Sequence, residues 1–225
     1  MTPRGSHERK GRGMEYFDVL DCRGEKTGEV IPRDEAHRTG AWHGAFHCLI
    51  AYEQQGRAMA LFQKRSREKK IAPGKYDVSV GGHYASGETA EIAGPREIRE
   101  ELGLDVKFDD LLPVGRRVFV YCFAPGVREY EFQDVYLLLR AMKPEDLKLQ
   151  REELEGVAEM DVEMGIALLS GKIPFVELML LNQDNDKGPV RVSAADFVPC
   201  IDHYYLKLLL LAQRLMRGEQ NLLLI

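Results

Sequence analysis

The chain has 225 residues, of which 44% are hydrophobic and 30% are charged, and its formal net charge is −5. This composition excludes a fully disordered chain, and the mild negative charge gives no electrostatic reason to expect a nucleic-acid or membrane partner. No apolar run is long enough to span a membrane. The four cysteines are scattered without zinc-type spacing, which suits a reducing cytoplasm, where we expect the protein.

The predicted elements begin after residues 1–13, which lack periodicity and are predicted to form a disordered lead-in. The first half of the chain is predicted to form a hairpin, a short helix and three further strands: Glu15–Asp21, Glu29–Ile31, Pro32–Arg38, His43–Tyr52, Met59–Gln63 and Tyr76–Val80. A glycine-rich loop at Gly81 and Gly82 follows. It leads into a helix that ends near Leu102, because Gly103 is a typical C-terminal stop.

The second half of the chain mixes strand-like and helical patterns. Strands are predicted at Val106–Val114, Arg117–Phe123, Phe132–Leu139 and Glu152–Met160, helices at Val162–Leu169 and Ser193–Met216, and a loop at Lys187–Pro189. Irregular alternation of this kind favours a mixed sheet with helices on its faces. We expect one domain over residues 14–217, including the C-terminal helix, and a tail over residues 218–225. The apolar C-terminal region favours a homodimer.

Three carboxylates in the middle of the chain carry the main chemical signal. On a helix, Glu97, Glu100 and Glu101 stand at i, i+3 and i+4 and therefore share one face. Like charges at this spacing repel, and Arg96 offsets part of that repulsion. A divalent cation would offset more, since clustered carboxylate oxygens suit Mg²⁺ or Mn²⁺. The alternative is a solvated acidic face.

The spacing of residues around these carboxylates decides between the two interpretations. Gly82 is followed by five residues, then Glu88, then seven residues, then the run Arg96–Leu104, which reads REIREELGL. This pattern resembles the Nudix box at every fixed position. A pattern with this many fixed residues is far more specific than a single glycine motif.

The resemblance implies a Nudix fold, an α/β/α sandwich with a mixed β-sheet, and hydrolysis of a phosphoanhydride bond in a small-molecule diphosphate. Glu97, Glu100 and Glu101 match the family's metal ligands, and Arg96 matches the arginine that orients them. Gly82, Glu88 and Gly103 match positions that shape the loops of the box. The implied cofactor is Mg²⁺ or Mn²⁺, which would polarise phosphoryl oxygens and acidify a bound water. Glu153, Glu155 and Glu159 are candidates for a general base outside the box.

One pair of residues departs from the family pattern. Gly94 and Pro95 fall inside the segment that the family makes helical, and proline disrupts a helix interior. Either the helix is kinked there, or it starts at Pro95 as a first-turn residue.

Two further segments, residues 42–46 and 77–83, resemble the isopentenyl-diphosphate isomerase branch of the same superfamily. In those isomerases a cysteine acts in proton transfer at the position that Gly81 occupies here, and histidines matching His43 and His83 bind a metal, with His37 near a third. Without that cysteine, isomerisation lacks one of its two proton-handling groups. We therefore expect hydrolysis. The alternatives are isomerase activity and a non-catalytic module that senses a nucleotide.

Other features allow both a functional and a structural interpretation. His37, His43 and His83 either form a second metal site or are ordinary hydrogen-bonded histidines, and we favour the latter because metal spacing cannot be checked across separate segments. Trp42 is expected to pack at the sheet edge. We interpret the basic residues as a solvated loop; these are Lys64, Arg65, Arg67, Lys69 and Lys70. Cys48 and Cys122 are expected to be buried.

Overall fold

The computed structural model describes residues 15–219, so the predicted lead-in and most of the tail lie outside the described residues. The chain opens with an antiparallel hairpin of β1 (Tyr16–Leu20) and β2 (Lys26–Pro32), followed by the short helix α1 (Arg33–Thr39). The hairpin and the helix were both predicted from the sequence. Gly24 has a positive φ of 80°, as the turn between the strands requires.

The central sheet has nine strands within residues 15–219: β3 (His43–Gln54), β4 (Arg57–Arg65), β5 (Tyr76–Asp77), β6 (Val80–His83), β7 (Leu112–Ala124), β8 (Val127–Leu139), β9 (Leu154–Asp161), β10 (Val176–Asn182) and β11 (Lys187–Val192). Their order is β11-β10-β9-β4-β3-β8-β7, with β5 beside β4 and β6 beside β3. Strands β3 and β8 pair in parallel and the other pairs are antiparallel. The sheet is therefore mixed, as the sequence predicted.

Helices cover both faces of this sheet. They are α2 (Ala90–Leu102), α3 (Val162–Leu169) and α4 (Tyr204–Met216). Successive strand side chains point to opposite faces, so Phe46, Cys48 and Ile50 of β3 pack in the core beneath α2. Leu49 and Ala51 pack in the opposite core with α3 and α4. The result is the expected α/β/α sandwich.

The start of α2 settles the question raised by Pro95. The helix begins at Ala90, so Pro95 lies inside it and the first-turn alternative is wrong. Gly94 is needed beside it, because a Cβ at Gly94 would lie 2.7 Å from Phe46. The helix ends as predicted, with Gly103 in the left-handed conformation at φ 69°.

Several local predictions differ from the structure. The loop predicted at residues 187–189 is instead part of the edge strand β11, and proline is tolerated in an edge strand. The helix predicted from Ser193 begins at Tyr204, because the preceding segment contains Pro199 and only one short 3₁₀ turn within residues 193–203. Cys48 is buried as expected, but Cys122 is exposed because it lies on the outward face of β7 with Val118 and Val120.

No helix within the described part of the chain is long and apolar enough to cross a membrane. The strand predicted at Val106–Val114 is a 3₁₀ turn at Phe108–Asp110 that leads into β7.

Candidate active site

The three box carboxylates, Glu97, Glu100 and Glu101, lie on one face of α2 as the helical spacing predicted. Glu97 and Glu101 are buried, whereas Glu100 is exposed at the rim. A Cβ on Gly82 would lie 2.1 Å from the carboxyl carbon of Glu97. Glycine at this position therefore allows the Glu97 carboxylate to lie directly against the β6 backbone.

Arg96 contacts three carboxylates of the box. Its guanidinium donates to both carboxylate oxygens of Glu88, at 2.8 and 2.7 Å, and lies 2.9 Å from Glu97 and 3.2 Å from Glu100. Burial alone would lower the pKa of Arg96, but its hydrogen bonds to Glu88 and the three nearby carboxylates raise it. Glu88 also accepts from the backbone N–H of Ala85 at 2.9 Å, which closes the preceding loop.

The buried carboxylates have perturbed electrostatics. Burial raises the pKa of Glu97, and it raises the pKa of Glu101 well above its usual range, with the charge of Glu97 adding to that increase. Lys69 and the backbone N–H of Gly81 oppose the shift at Glu101. Two crowded, desolvated carboxylates are unstable as a charged pair without a cation, so the donor set fits a divalent metal ion.

A second constellation forms where β3, β6, β8 and α1 meet. We call it the histidine–glutamate cluster, and it consists of His37, His43, His83, Glu129 and Glu131. The ligand atoms of its three histidines and Glu129 all lie within 4.8 Å of one another. Glu131 joins them through an oxygen 2.9 Å from Nε2 of His83. The structure thus brings together three histidines whose distances the sequence could not give.

Several buried atoms of this cluster lie close together without a hydrogen bond of good geometry. Nε2 of His37 is 3.1 Å from Oε1 of Glu129, and Nε2 of His43 is 3.7 Å from Oε1 of Glu131. Among the described residues, Nε2 of both histidines and Oε1 of Glu129 have no hydrogen-bond partner. Nδ1 of His43 donates to the carbonyl of Ala41 at 2.8 Å, which leaves the Nε2 lone pair facing the cluster. Burial lowers the pKa of His37 to about 2, so this imidazole is neutral. Neutral imidazoles beside carboxylates fit a transition-metal ion.

Glu129 and Glu131 were missed from the sequence. They alternate with Tyr130 on β8, so both side chains point to the same buried face. Burial tends to raise the pKa of Glu131, but the adjacent imidazoles of His43 and His83 lower it well below its usual range. The available signal was an i, i+2 pair of acidic residues inside a strand-like run.

Both groups face one cavity of about 960 Å³. Its walls include the box residues Gly82, Arg96, Glu97, Glu100 and Glu101, and the cluster residues His37, His83, Glu129 and Glu131. Arg65, Lys69 and Lys70 from the basic run line another part. The interpretation of that run as a solvated loop is wrong for Arg65 and Lys69, which are largely buried, whereas Lys70 is exposed at the rim. The cavity therefore presents grouped carboxylates together with nearby cationic side chains.

The sequence of this chain is similar to those of known proteins. Residues 41–177 match the NUDIX domain family. The chain is also 32% identical over 195 residues to an uncharacterized Nudix hydrolase of Clostridium acetobutylicum, an alignment that covers 85% of this chain and 93% of that protein. This chain belongs to the Nudix family. It is an enzyme of the pyrophosphohydrolase type.

Two further similarities place this Nudix hydrolase within its superfamily. It is 33% identical over 189 residues to an isopentenyl-diphosphate Delta-isomerase of Klebsiella pneumoniae, covering 82% of this chain and 96% of the isomerase. A crystal structure from Deinococcus radiodurans superposes with a TM-score of 0.53 at 27% identity, covering 70% of this chain and 90% of that one. Overall identity therefore does not separate a hydrolase from an isomerase.

The three candidate bases of the Nudix hydrolase lie in different places. Glu153 lines the cavity and contacts Lys69. Glu155 instead pairs with Lys64 at 3.2 Å, and Glu159 accepts from Tyr52 at 2.6 Å near the other end of β9. Glu153 is thus the candidate that the fold brings to the box.

Trp42 packs against Tyr130 and Phe132, with ring centroids 5.4 and 5.0 Å apart, as expected for a structural role at the sheet.

Proposed function

We propose that this Nudix hydrolase cleaves a phosphoanhydride bond in a nucleoside diphosphate linked to another group, or in a related diphosphate, with Mg²⁺ or Mn²⁺. The observation that carries the proposal is the placement of the three box carboxylates and three basic side chains in one 960 Å³ cavity. A cavity of this size accommodates a ligand of nucleotide dimensions.

Glu97, Glu100 and Glu101 would hold the divalent ion, and Arg96 keeps their carboxylates oriented. When bound, such an ion polarises phosphoryl oxygens and lowers the pKa of a coordinated water. Lys69 and Arg65 line the same cavity and would neutralise phosphate charge. Their side chains are only 18% and 13% exposed and pair with Glu153 and Asp77.

The remaining requirement is a group that accepts a proton. In the hydrolysis, the water oxygen forms a bond to one phosphorus while the bond from that phosphorus to the bridging oxygen breaks. The electron pair of the broken bond stays on the bridging oxygen, which leaves with the departing phosphate. The proton released by the water passes to a carboxylate. We assign this role to Glu153, because Glu153 lines the cavity and its charge raises the pKa of the buried Glu101 carboxyl group.

The test is a cleavage assay with Mg²⁺ or Mn²⁺ against ADP-ribose, nucleotide sugars, dinucleoside polyphosphates, coenzyme A, nucleoside triphosphates and isopentenyl diphosphate. Glu100→Gln and Glu101→Gln are compared with Glu177→Gln, a control on β10 whose side chain is exposed. Metal-dependent cleavage that is lost in the first two variants and kept in the control supports the proposal. Nucleotide binding with no cleavage would indicate a sensing module.

A second candidate function, isomerisation of isopentenyl diphosphate, is favoured by the histidine–glutamate cluster. Its three histidines include the two that match metal ligands in the isomerases. Isomerisation also needs a proton-handling side chain at position 81, and Gly81 supplies none. Conversion of isopentenyl diphosphate to its isomer in the same assay would favour this candidate over hydrolysis.

A further inference from the structure

His47 lies on the cavity wall directly opposite Gly81. It belongs to β3, where its cross-strand neighbour on β6 is Gly81. The side chain is 8% exposed, and it lines the cavity that contains the box carboxylates. A Cβ added at Gly81 would lie 3.5 Å from Nε2 of His47, so the missing side chain leaves that nitrogen uncovered.

The two ring nitrogens of His47 differ in their surroundings. Nδ1 lies 3.0 Å from the hydroxyl of Tyr204 on α4. Nε2 makes no hydrogen bond within residues 15–219 and faces the space above Gly81. Buried polar atoms usually have a hydrogen-bond partner. The Tyr204 hydroxyl is the partner of Nδ1, and Nε2 faces the cavity, where a ligand would be its partner.

The environment of Tyr204 fixes the tautomer of His47. Tyr204 is 0% exposed, and Nδ1 of His47 is its hydroxyl's hydrogen-bond partner among the described residues. Leaving a buried hydroxyl proton without an acceptor costs about 1–3 kcal/mol. The phenol therefore donates to Nδ1. Because burial also lowers the pKa of His47, the neutral ring carries its proton on Nε2.

Tyr204 is itself held in place. The guanidinium of Arg117 stacks 3.9 Å from the centroid of the Tyr204 ring. Arg117 donates to Asp202 at 2.8 and 2.9 Å and to Gln133 at 2.8 Å. These contacts anchor the first residue of α4 against the sheet, so the hydrogen bond to His47 has a rigid donor.

We propose that His47 contacts the substrate, donating its Nε2–H to a phosphate oxygen of a diphosphate bound over Gly81, and that Tyr204 is the positioning residue that fixes this tautomer. The inference deepens the proposed function and rests on it for the nature of the ligand. The backbone N–H of Gly81 lowers the pKa of Glu101, so a diphosphate bound over Gly81 would have a phosphate beside the box carboxylates. A fixed donor at this place stabilises negative charge that develops on the phosphate during cleavage.

Two variants separate this role from a structural one. His47→Leu removes the donor, and we expect a loss of about 10²–10³-fold in kcat/KM, the usual effect of deleting such a donor. His47→Gln keeps an N–H close to the position of Nε2 and restores part of that loss. Both variants are compared with the native enzyme by thermal melting, so that a folding defect is recognised.

The decisive measurement does not require turnover. A long-range ¹H–¹⁵N spectrum reports which ring nitrogen of His47 is protonated, and imidodiphosphate with Mg²⁺ serves as an uncleavable probe. We expect a proton on Nε2 that shifts when the probe is added, and a mixture of tautomers in Tyr204→Phe. An Nε2 signal that shifts in a protein that cleaves no diphosphate would support the His47 contact while refuting hydrolysis.

The inference has an outcome that overturns it independently of hydrolysis. If saturating imidodiphosphate leaves the Nε2 signal unchanged, or if His47→Leu retains native kcat/KM while Glu101→Gln is inactive, then His47 does not contact the substrate.

Discussion

Two adjacent glycines on β6 face opposite sides of the strand and meet different neighbours. Gly82 faces the carboxylate of Glu97, where a Cβ has no room, whereas Gly81 faces His47, where a Cβ would make ordinary contact at 3.5 Å. Neither residue has a positive φ among the described backbone angles, so backbone strain plays no part in the difference. Side-chain space alone separates the two positions.

This contrast predicts different effects of the same substitution. Gly82→Ala should lower the free energy of unfolding by about 1–3 kcal/mol, because the new methyl group displaces a buried carboxylate. Gly81→Ala should leave stability within about 0.5 kcal/mol of the native value. Urea denaturation of the two variants beside the native protein measures both effects. Equal stabilities for the two variants would contradict the arrangement of Glu97 described above.

His37 makes stability depend on pH. Its pKa falls from the usual 6.5 to about 2 on folding, mainly through burial. Below pH 6.5 the unfolded chain binds a proton that the folded protein does not, so the free energy of unfolding decreases as the pH falls. Between pH 7 and pH 5, in the presence of a chelator, this group should lower the free energy of unfolding of the native protein by about 2 kcal/mol. His37→Gln should show a smaller decrease by about that amount in urea titrations at the two pH values.

Sequence patterns located the box residues but not their partners. The spacing of Glu97, Glu100 and Glu101 fixes their common helix face, because helical geometry is local. Glu129, Glu131 and His47 reach the cavity through strand pairings whose register depends on the whole sheet. The i, i+2 spacing of Glu129 and Glu131 was visible in the sequence, but no local pattern reports which strands pair, and these three residues were therefore missed.

At the level of elements, α2 contains a compromise between helix stability and packing. Pro95 removes a hydrogen bond to the carbonyl of Glu91, and Gly94 is a poor helix former, yet both lie between the helix start and the box carboxylates. Gly94 is explained by Phe46, which leaves no space for a methyl group. Nothing in the structure explains Pro95.

Substitutions at these two positions should therefore have opposite effects. Pro95→Ala should raise the free energy of unfolding by about 1–3 kcal/mol, because the lost backbone hydrogen bond is restored. Gly94→Ala should lower it despite alanine's better helix propensity, because the methyl group meets Phe46. Thermal or urea unfolding of each single variant tests the pair. A stabilised Gly94→Ala protein would show that Phe46 can move aside at little cost.

Elements with strong periodicity and clear end signals were predicted well. The helix α3 matches its predicted range, and the end of α2 was given by Gly103. The predictions failed where tertiary pairing overrides local preference. Edge pairing with β10 makes a strand of a segment that contains Gly188 and Pro189. The apolar periodicity that extended the last helix too far upstream came from residues that pack in the core without helical structure.

For the whole molecule, the two groups of ligands in one cavity predict a response to metal ions. Carboxylates favour Mg²⁺, whereas imidazoles favour ions such as Zn²⁺. An ion at about 100 times its dissociation constant adds about 2.7 kcal/mol to the free energy of unfolding, or about 5–10 °C in melting temperature. We expect Glu101→Gln to lose the shift caused by Mg²⁺ and His43→Gln to lose the shift caused by Zn²⁺.

Thermal melts with each ion, after removal of bound metal by a chelator, provide the measurement, with Glu177→Gln as the unaffected control. If one variant abolished the response to both ions, the cavity would hold a single shared site rather than two.

The open space above Gly81 has an evolutionary consequence. Since a small side chain fits there without moving the backbone, this position is free to change by single substitutions while the fold is retained. The same scaffold would then present a histidine in one lineage and a different reactive group in another. Relatives of nearly equal identity to this chain bear the names of different enzymes. We therefore expect the residue at this position to distinguish their activities where overall identity does not.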